Sequence, residues 1–476
     1  MANLVIRRAR VGEGEPVDVR VVGGKIAEIG ARVATLPGED ELDACGGWLI
    51  PGLHDHHLHL RALVAARSSV RLGPPYVNNP DELRAALRGA PSTDPEGWIR
   101  AVGYHESVAG DLDSATLDEV VSDRPVRVQH RSGILWVLNS LALEKVGAHT
   151  EASSGVERDD RGVATGRLWR MDPWLARRTT APGPGNWKEG LRLVSLEAAA
   201  LGVTGWTDAT PGRSDDDARE LTEAAIRGVL SQRLHLMVAP GSREVIIGGR
   251  NQRVTLGPVK VILDDFELPE LDRFAELIRE AHASGNGVAV HCVTRAQLVL
   301  TLAALEAAGD PSGADRIEHG SVIPGELIPR LRDQGLTVVT QPNFVGERGD
   351  DYLRSVEAEE IEDLWRARSL AECGVRVACG TDAPFGDPDP WAALRSATTR
   401  RTPAGECLGP AERVDALTAA SWWWGTGAEP FRPRRIEAGA PADIAILGEP
   451  LAEVVAAHGS TPPVTATLVA GEVVYP

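Results

Sequence analysis

The chain reads as an α/β protein: a (β/α)8 TIM-like barrel with a large insertion after its first strand, plus a small β-sandwich domain built from both termini. Three observations predict this. Eight apolar segments are separated by helical stretches, the number a closed barrel requires. The interval from about residue 61 to 200 is far too long for one crossover helix. Both ends of the chain are patterned as short strands with glycine turns.

At the N-terminus "NLVIRRARV" and "VDVRVVGGKIAEIG" read as strands, with Gly23-Gly24 as a hairpin turn, followed by "GGWLIPG". "ADIAILG" and "ATLVAGEVVYP" mirror them at the C-terminus. The expected barrel strands are "WLIPGLHDHHLH", "GVTGWTDAT", "RLHLMVAP", "GPVKVILDD", "GVAVHC", "DRIEHG", "LTVVTQP" and "VRVACGTDAP". Helices such as "DRFAELIREAHASG" and "QLVLTLAALEAAG" alternate with them, which predicts parallel strands. In the insertion "PVRVQHRSG" reads as a strand and "GRLWRMDPWLARRTTAPGPGNW" as a loop or lid. The boundaries are 1–50 and 426–476 for the β domain and 51–425 for the barrel, with the insertion at about 61–200. The run "SWWWGTG" at 421–427 reads as an aromatic wedge between barrel and β domain.

A formal net charge of −18 argues against nucleic acid or an anionic membrane as partner and favours a small-molecule substrate. Five cysteines without CxxC spacing suggest neither a disulfide framework nor a zinc ribbon, and fit a reducing cytoplasm. No apolar run approaches the ~20 residues that span a bilayer. Oligomeric state is not written in the sequence; a homodimer is compatible with it.

Chemistry-bearing residues recur at the strand ends. His57 and His59 are two apart, which puts both side chains on one face of a strand, but His54 and His56 share that spacing and alternation cannot choose between the pairs. Lys260, one of only four lysines, sits in the apolar "VKVIL"; His291, His319 and Asp382 end later strands. Strand ends of a barrel converge on one mouth, and imidazoles with carboxylates are ligands of catalytic divalent ions. Alone, each has a structural alternative: Asp382 could cap a helix, and Lys260 could pair with Asp264 or Asp265. Their joint recurrence is what points to a site.

"PGLHDHHLH" matches PGxxDxHxH, so the chain resembles the amidohydrolase superfamily, and the resemblance selects His57 and His59. It extends to "RRIEAGAPADIAIL", where Glu437, Gly439, Ala442 and Asp443 occupy the superfamily's closing segment. The insertion, with "SGILWVLNSLALEKVG" and "GVATGRL", is similar to the YtcJ-like branch (amidohydrolase family 3), which includes N-substituted formamide deformylases. The resemblance implies a hydrolase cleaving a non-peptide C–N bond, an amide or formamide, with metal-activated water. The resemblance implies one or two divalent ions: His57, His59 and Asp382 would hold one and, in a binuclear site, His291 and His319 a second, with a carbamate on Lys260 bridging them; mononuclear members use no carbamate. Zinc is the expected metal, with manganese or iron as substitutes. Asp382 would be the general base. Cyclic amide opening, deamination, lactone hydrolysis, decarboxylation or a non-catalytic binding role use the same scaffold. The branch's GHxxWxNS and LxE patterns are altered here: Ile134 replaces the histidine, and Leu168 is followed by Trp169 and Arg170. His130, Arg131, Trp169, Arg170 and Trp174 are the expected substrate-pocket residues.

Overall fold

The computed structural model describes residues 3–91, 96–179, 184–241, 253–309, 312–457 and 464–476. They form two compact units, Met1–Leu60 with Leu191–Pro476, and Arg61–Gly190.

In the first unit eight parallel strands follow one another in chain order: Leu53–Leu58, Val203–Asp208, Arg233–Val238, Val254–Ile262, Val288–Cys292, Arg316–His319, Thr337–Thr340 and Arg376–Cys379. These lie in the eight segments expected, and they make a nearly closed barrel. The first and eighth strands share no ladder, yet just beyond them Asp382 N–H donates to His57 O (2.8 Å) and His59 N–H to Ala383 O (2.8 Å). The tryptophan run backs this seam, because Trp422 O accepts from Cys379 N–H and Trp423 O from His54 N–H. Helices cover the strands where the 3.6-residue period demands: Leu271–Ala283 buries Phe274, Ala275, Ile278 and Ala281 on one stripe. Arg295–Ala308 starts three residues after the fifth strand, under a capping box made by Thr294 and Gln297.

One segment differs from expectation. "WLIPGLHDHHLH" is two strands, because Trp48–Pro51 pairs with Leu4–Val11 and Ile444–Leu447 before the chain enters the barrel at Leu53. Gly52 is the switch. A Cβ there would meet the Thr204 side chain at 2.2 Å, so only glycine lets the chain pass against the second barrel strand.

Both termini share a second sheet, in the order Glu472–Tyr475, Val464–Val469, Ile444–Leu447, Trp48–Pro51, Leu4–Val11, Val17–Val22 and Lys25–Gly30, with Asp40–Asp43 also beside Leu4–Val11. Gly23 and Gly24, at φ 57° and 80°, make the expected tight hairpin. Asp443, in the closing segment, accepts from Arg233 at 2.6 and 3.1 Å and so ties this sheet to the third barrel strand.

The unit Arg61–Gly190 has its own sheet, ordered Val156–Arg158, Ala164–Trp169, Leu135–Leu138, Val126–His130, Ile99–Tyr104 and Val70–Arg71. Val126–His130 is the strand expected there. The Arg- and Trp-rich stretch expected as a loop instead contributes the strand Ala164–Trp169 and the helix Asp172–Ala176; its residues 180–183 lie outside the described residues. Burial alternates strictly along Ala164–Trp169, a period-two signal that the bulky, charged side chains disguise. Among the described residues no helix is long and apolar enough to cross a membrane.

Candidate metal centre

The C-terminal ends of the barrel strands carry all six candidate ligands. His57 and His59 end the first strand, Lys260 lies near the end of the fourth, His291 and His319 end the fifth and sixth, and Asp382 follows the eighth. Strand alternation fails to choose the histidine pair for a structural reason. Trp206 pairs with Asp55 and Asp208 with Leu58, so a bulge falls at His56–His57 and resets the alternation. His54 and His56 then stack on each other, ring centroids 4.5 Å apart, and His54 Nε2 meets Thr207 Oγ1 at 2.9 Å.

His57, His59 and Asp382 form a group whose ligand atoms all lie within 4.8 Å of one another. Asp382 Oδ1 stands 3.1 Å from His59 Nε2 and 3.5 Å from His57 Nε2. The His57 ring lies 4.6 Å from that of His319, which in turn lies 4.6 Å from that of His291. Asp382 and His319 both have left-handed backbones, φ 57° and 70°, an uncommon conformation outside glycine that concentrates at functional sites.

The donor set fits a divalent cation on two counts. Imidazole and carboxylate are the right chemistry, and buried His57 Nε2 and Asp382 Oδ1 have no hydrogen-bond partner among the described residues. Lys260 is 2% exposed and its Nζ also lacks a hydrogen-bond partner. The pairing with Asp264 or Asp265 does not occur: Asp264 accepts from Phe266 N–H and Asp265 from Thr294 Oγ1. Burial pushes the Lys260 ammonium below its ordinary range, against the pull of Glu318 and Asp382. Burial likewise drives His57 and His319 well below the usual imidazole value, with neighbouring positive charge adding to it, so both rings are neutral and able to bind a metal. Nor does Asp382 cap a helix; Asp389 caps Pro390–Thr399.

Four supporting residues escape the sequence reading. Glu318, fully buried, accepts from His57 Nδ1–H and is held by Arg316 Nε at 2.8 Å. Gln341 Oε1 meets His319 Nδ1 at 2.8 Å. Asp55 accepts from Thr381 N–H (3.0 Å), Thr381 Oγ1 (2.5 Å) and His57 N–H (3.1 Å), and burial pushes its carboxyl up to about 7. The available signal was two charged residues, Arg316 and Glu318, two apart in a short strand, a spacing that turns both side chains the same way and lets them pair.

The five expected substrate residues all lie in the other unit. There His130 Nε2 meets Glu106 Oε2 at 3.0 Å, and Arg131 meets His105 Nε2 at 2.6 Å. Trp169 and Trp174 donate their indole N–H to Glu157 (2.9 Å) and Glu151 (2.5 Å), and Arg170 sits at φ 55° with its N–H on Ile134 O.

A family model described as the amidohydrolase family matches residues 40–475. The chain belongs to the amidohydrolase family. This amidohydrolase is 27% identical over 486 residues to the N-substituted formamide deformylase of Arthrobacter pascens, covering 90% of this chain and 89% of that one. It is 24% identical over 437 residues to the putative amidohydrolase YtcJ of Bacillus subtilis (strain 168), covering 81% of each. In fold it is similar to an uncharacterized metal-dependent hydrolase from Pyrococcus horikoshii OT3, with TM-score 0.72, 19% identity, and coverage of 94% and 98%. It is thus a hydrolase of the YtcJ-like branch of that family, acting on carbon–nitrogen bonds.

Proposed function

We propose that this amidohydrolase cleaves the amide or formamide bond of a small N-substituted substrate. His57, His59 and Asp382 would hold one divalent ion and His291 and His319 a second, and a carbamate on Lys260 would supply an anionic ligand to them. Zinc suits the donors best, and manganese or iron would serve. The observation that carries the reading is the largely buried His57–His59–Asp382 group, with His57 Nε2 and Asp382 Oδ1 lacking hydrogen-bond partners among the described residues. The relative named as a formamide deformylase supports the choice of bond.

A divalent ion bound there supplies Lewis acidity, lowering the pKa of water from about 15.7 towards about 7 and polarising a carbonyl. The protein's own groups supply proton transfer and order. Asp382 takes the proton of the attacking water at its carboxylate and delivers it to the nitrogen of the breaking C–N bond, so that a neutral amine departs. Glu318 and Gln341 keep the ring protons of His57 and His319 on Nδ1. Lys260 Nζ has no hydrogen-bond partner among the described residues; after its ammonium gives up a proton to solvent, the neutral amine would add carbon dioxide and release a second proton, leaving a carbamate anion whose charge bound divalent ions would offset.

In the same reading the small β-sandwich comprises 1–50 and 426–476, and the barrel 51–425. The inserted segment, about 61–200, supplies substrate contacts through His130, Arg131, Trp169, Arg170 and Trp174. A cytoplasmic location and a homodimer complete it.

The test is a panel of N-substituted formamides and acetamides incubated with zinc- or manganese-loaded protein, following carboxylate and amine release. Hydrolysis that chelation abolishes and metal restores is expected. Turnover of lactones or ring amines with no amide hydrolysed would refute the assignment of the bond.

A further inference from the structure

The two histidines that face each other across the site are oriented by chemically different partners. Glu318 accepts from His57 Nδ1–H through Oε2, and neither residue is exposed to solvent. Its carboxylate cannot turn away. Arg316 donates from Nε to Oε1 at 2.8 Å and from Nη2 to Oε2 at 3.4 Å, and the same Nη2 donates to His56 O at 2.8 Å. His319 Nδ1–H instead meets a neutral amide oxygen, Gln341 Oε1 at 2.8 Å, whose NH2 is fixed on Val339 O at 3.2 Å.

We infer that Glu318, clamped by Arg316, is a positioning residue that locks His57 as an Nε2 ligand and makes the His57–His59–Asp382 group the tighter of two metal positions; this rests on the two-ion reading above. A neutral imidazole carries one ring proton, and an acceptor at Nδ1 keeps it there, leaving the Nε2 lone pair directed at the space shared with Asp382 Oδ1. A hydrogen bond to a carboxylate is roughly twice as strong as one to a neutral amide, so His57 is held more firmly than His319. Stability does not explain the pair. A buried ion pair is a weak stabiliser, and this one leaves Arg316 Nη1 with no hydrogen-bond partner among the described residues.

The experiment is a zinc titration of metal-stripped protein against a chromophoric chelator, for wild type, Glu318→Gln, Gln341→Met, and the double variant Arg316→Met with Glu318→Gln. The double variant removes both buried charges and so keeps the test valid where Glu318→Gln alone, leaving Arg316 uncompensated, fails to fold. Wild type should bind zinc in two classes. Glu318→Gln and the double variant should weaken the tighter class about 10- to 100-fold and leave the looser class unchanged. Gln341→Met should weaken only the looser class. Loosened packing would weaken both classes together, and that result, or wild-type affinity in both Glu318 variants, overturns the inference. Wild type that takes up no zinc overturns the metal reading itself.

Discussion

Replacing Asp55 with alanine should open the seam of the barrel. Asp55 is buried on the first strand, and its carboxylate accepts three hydrogen bonds, two from Thr381 just past the eighth strand and one from His57 N–H. The Asp55→Ala change leaves two backbone N–H groups and one hydroxyl facing a cavity. Each buried donor left unsatisfied costs about 1–3 kcal/mol. Thr381 Oγ1 retains a second bond, as acceptor from Ala383 N–H, and water entering the space would recover part of the loss. The net cost is therefore about 3–6 kcal/mol, a large share of a typical folding free energy. Because Asp382 follows Thr381 directly, its φ of 57° is held by the same contacts, and metal uptake should fall as well. Urea unfolding followed by tryptophan fluorescence, with metal uptake measured in parallel, checks this. Asp55→Asn keeps an acceptor and should cost less, about 1–3 kcal/mol. A loss below about 1 kcal/mol for Asp55→Ala, with metal uptake intact, would refute the reasoning.

Two further outcomes follow from the buried charges. Lys260→Met should raise the unfolding free energy of metal-free protein, read from urea denaturation, by about 1–4 kcal/mol, as for other buried charges replaced by apolar groups, while lowering the metal bound in bicarbonate; lower stability would mean the ammonium is well paired. Metal-free protein should lose stability below about pH 6.5, since burial keeps His54, His56, His57, His235 and His319 neutral when folded while each takes a proton when unfolded. Asp55, pushed up to about 7, works in the opposite sense between about pH 4 and 7, which leaves a limiting slope of about 5 kcal/mol per pH unit. Urea midpoints that stay flat from pH 8 to 5.5 would contradict this.

The parts of the architecture that local pattern controls were legible in the sequence. The eight barrel segments, the Gly23-Gly24 hairpin and the helix Leu271–Ala283 follow from periodicity and turn chemistry. The candidate ligand positions were legible because they end strands and because "PGLHDHHLH" resembles a known signature, but the bulge at His56–His57 shows why alternation could not select the histidines unaided. What stayed hidden is long-range. Glu318 meets His57 across 261 positions, and Asp55 meets Thr381 across 326, partnerships that no local period encodes. The strand Ala164–Trp169 was hidden differently: its buried positions are Ala164, Gly166 and Leu168, two of them too small to stand out as apolar, and Thr165, Arg167 and Trp169 between them are half-buried, so composition spoke for a loop.

The most direct test of the account is the number of divalent ions bound per chain, measured on protein purified without chelators and with bicarbonate present. Two ions, falling to fewer in Lys260→Ala, is the result predicted, because His57, His59, Asp382, His291 and His319 then act with a bridging lysine carbamate. One ion would leave the hydrolase in place and remove the bridge. No ion, with no uptake on adding zinc or manganese, would contradict the mechanism from its first step.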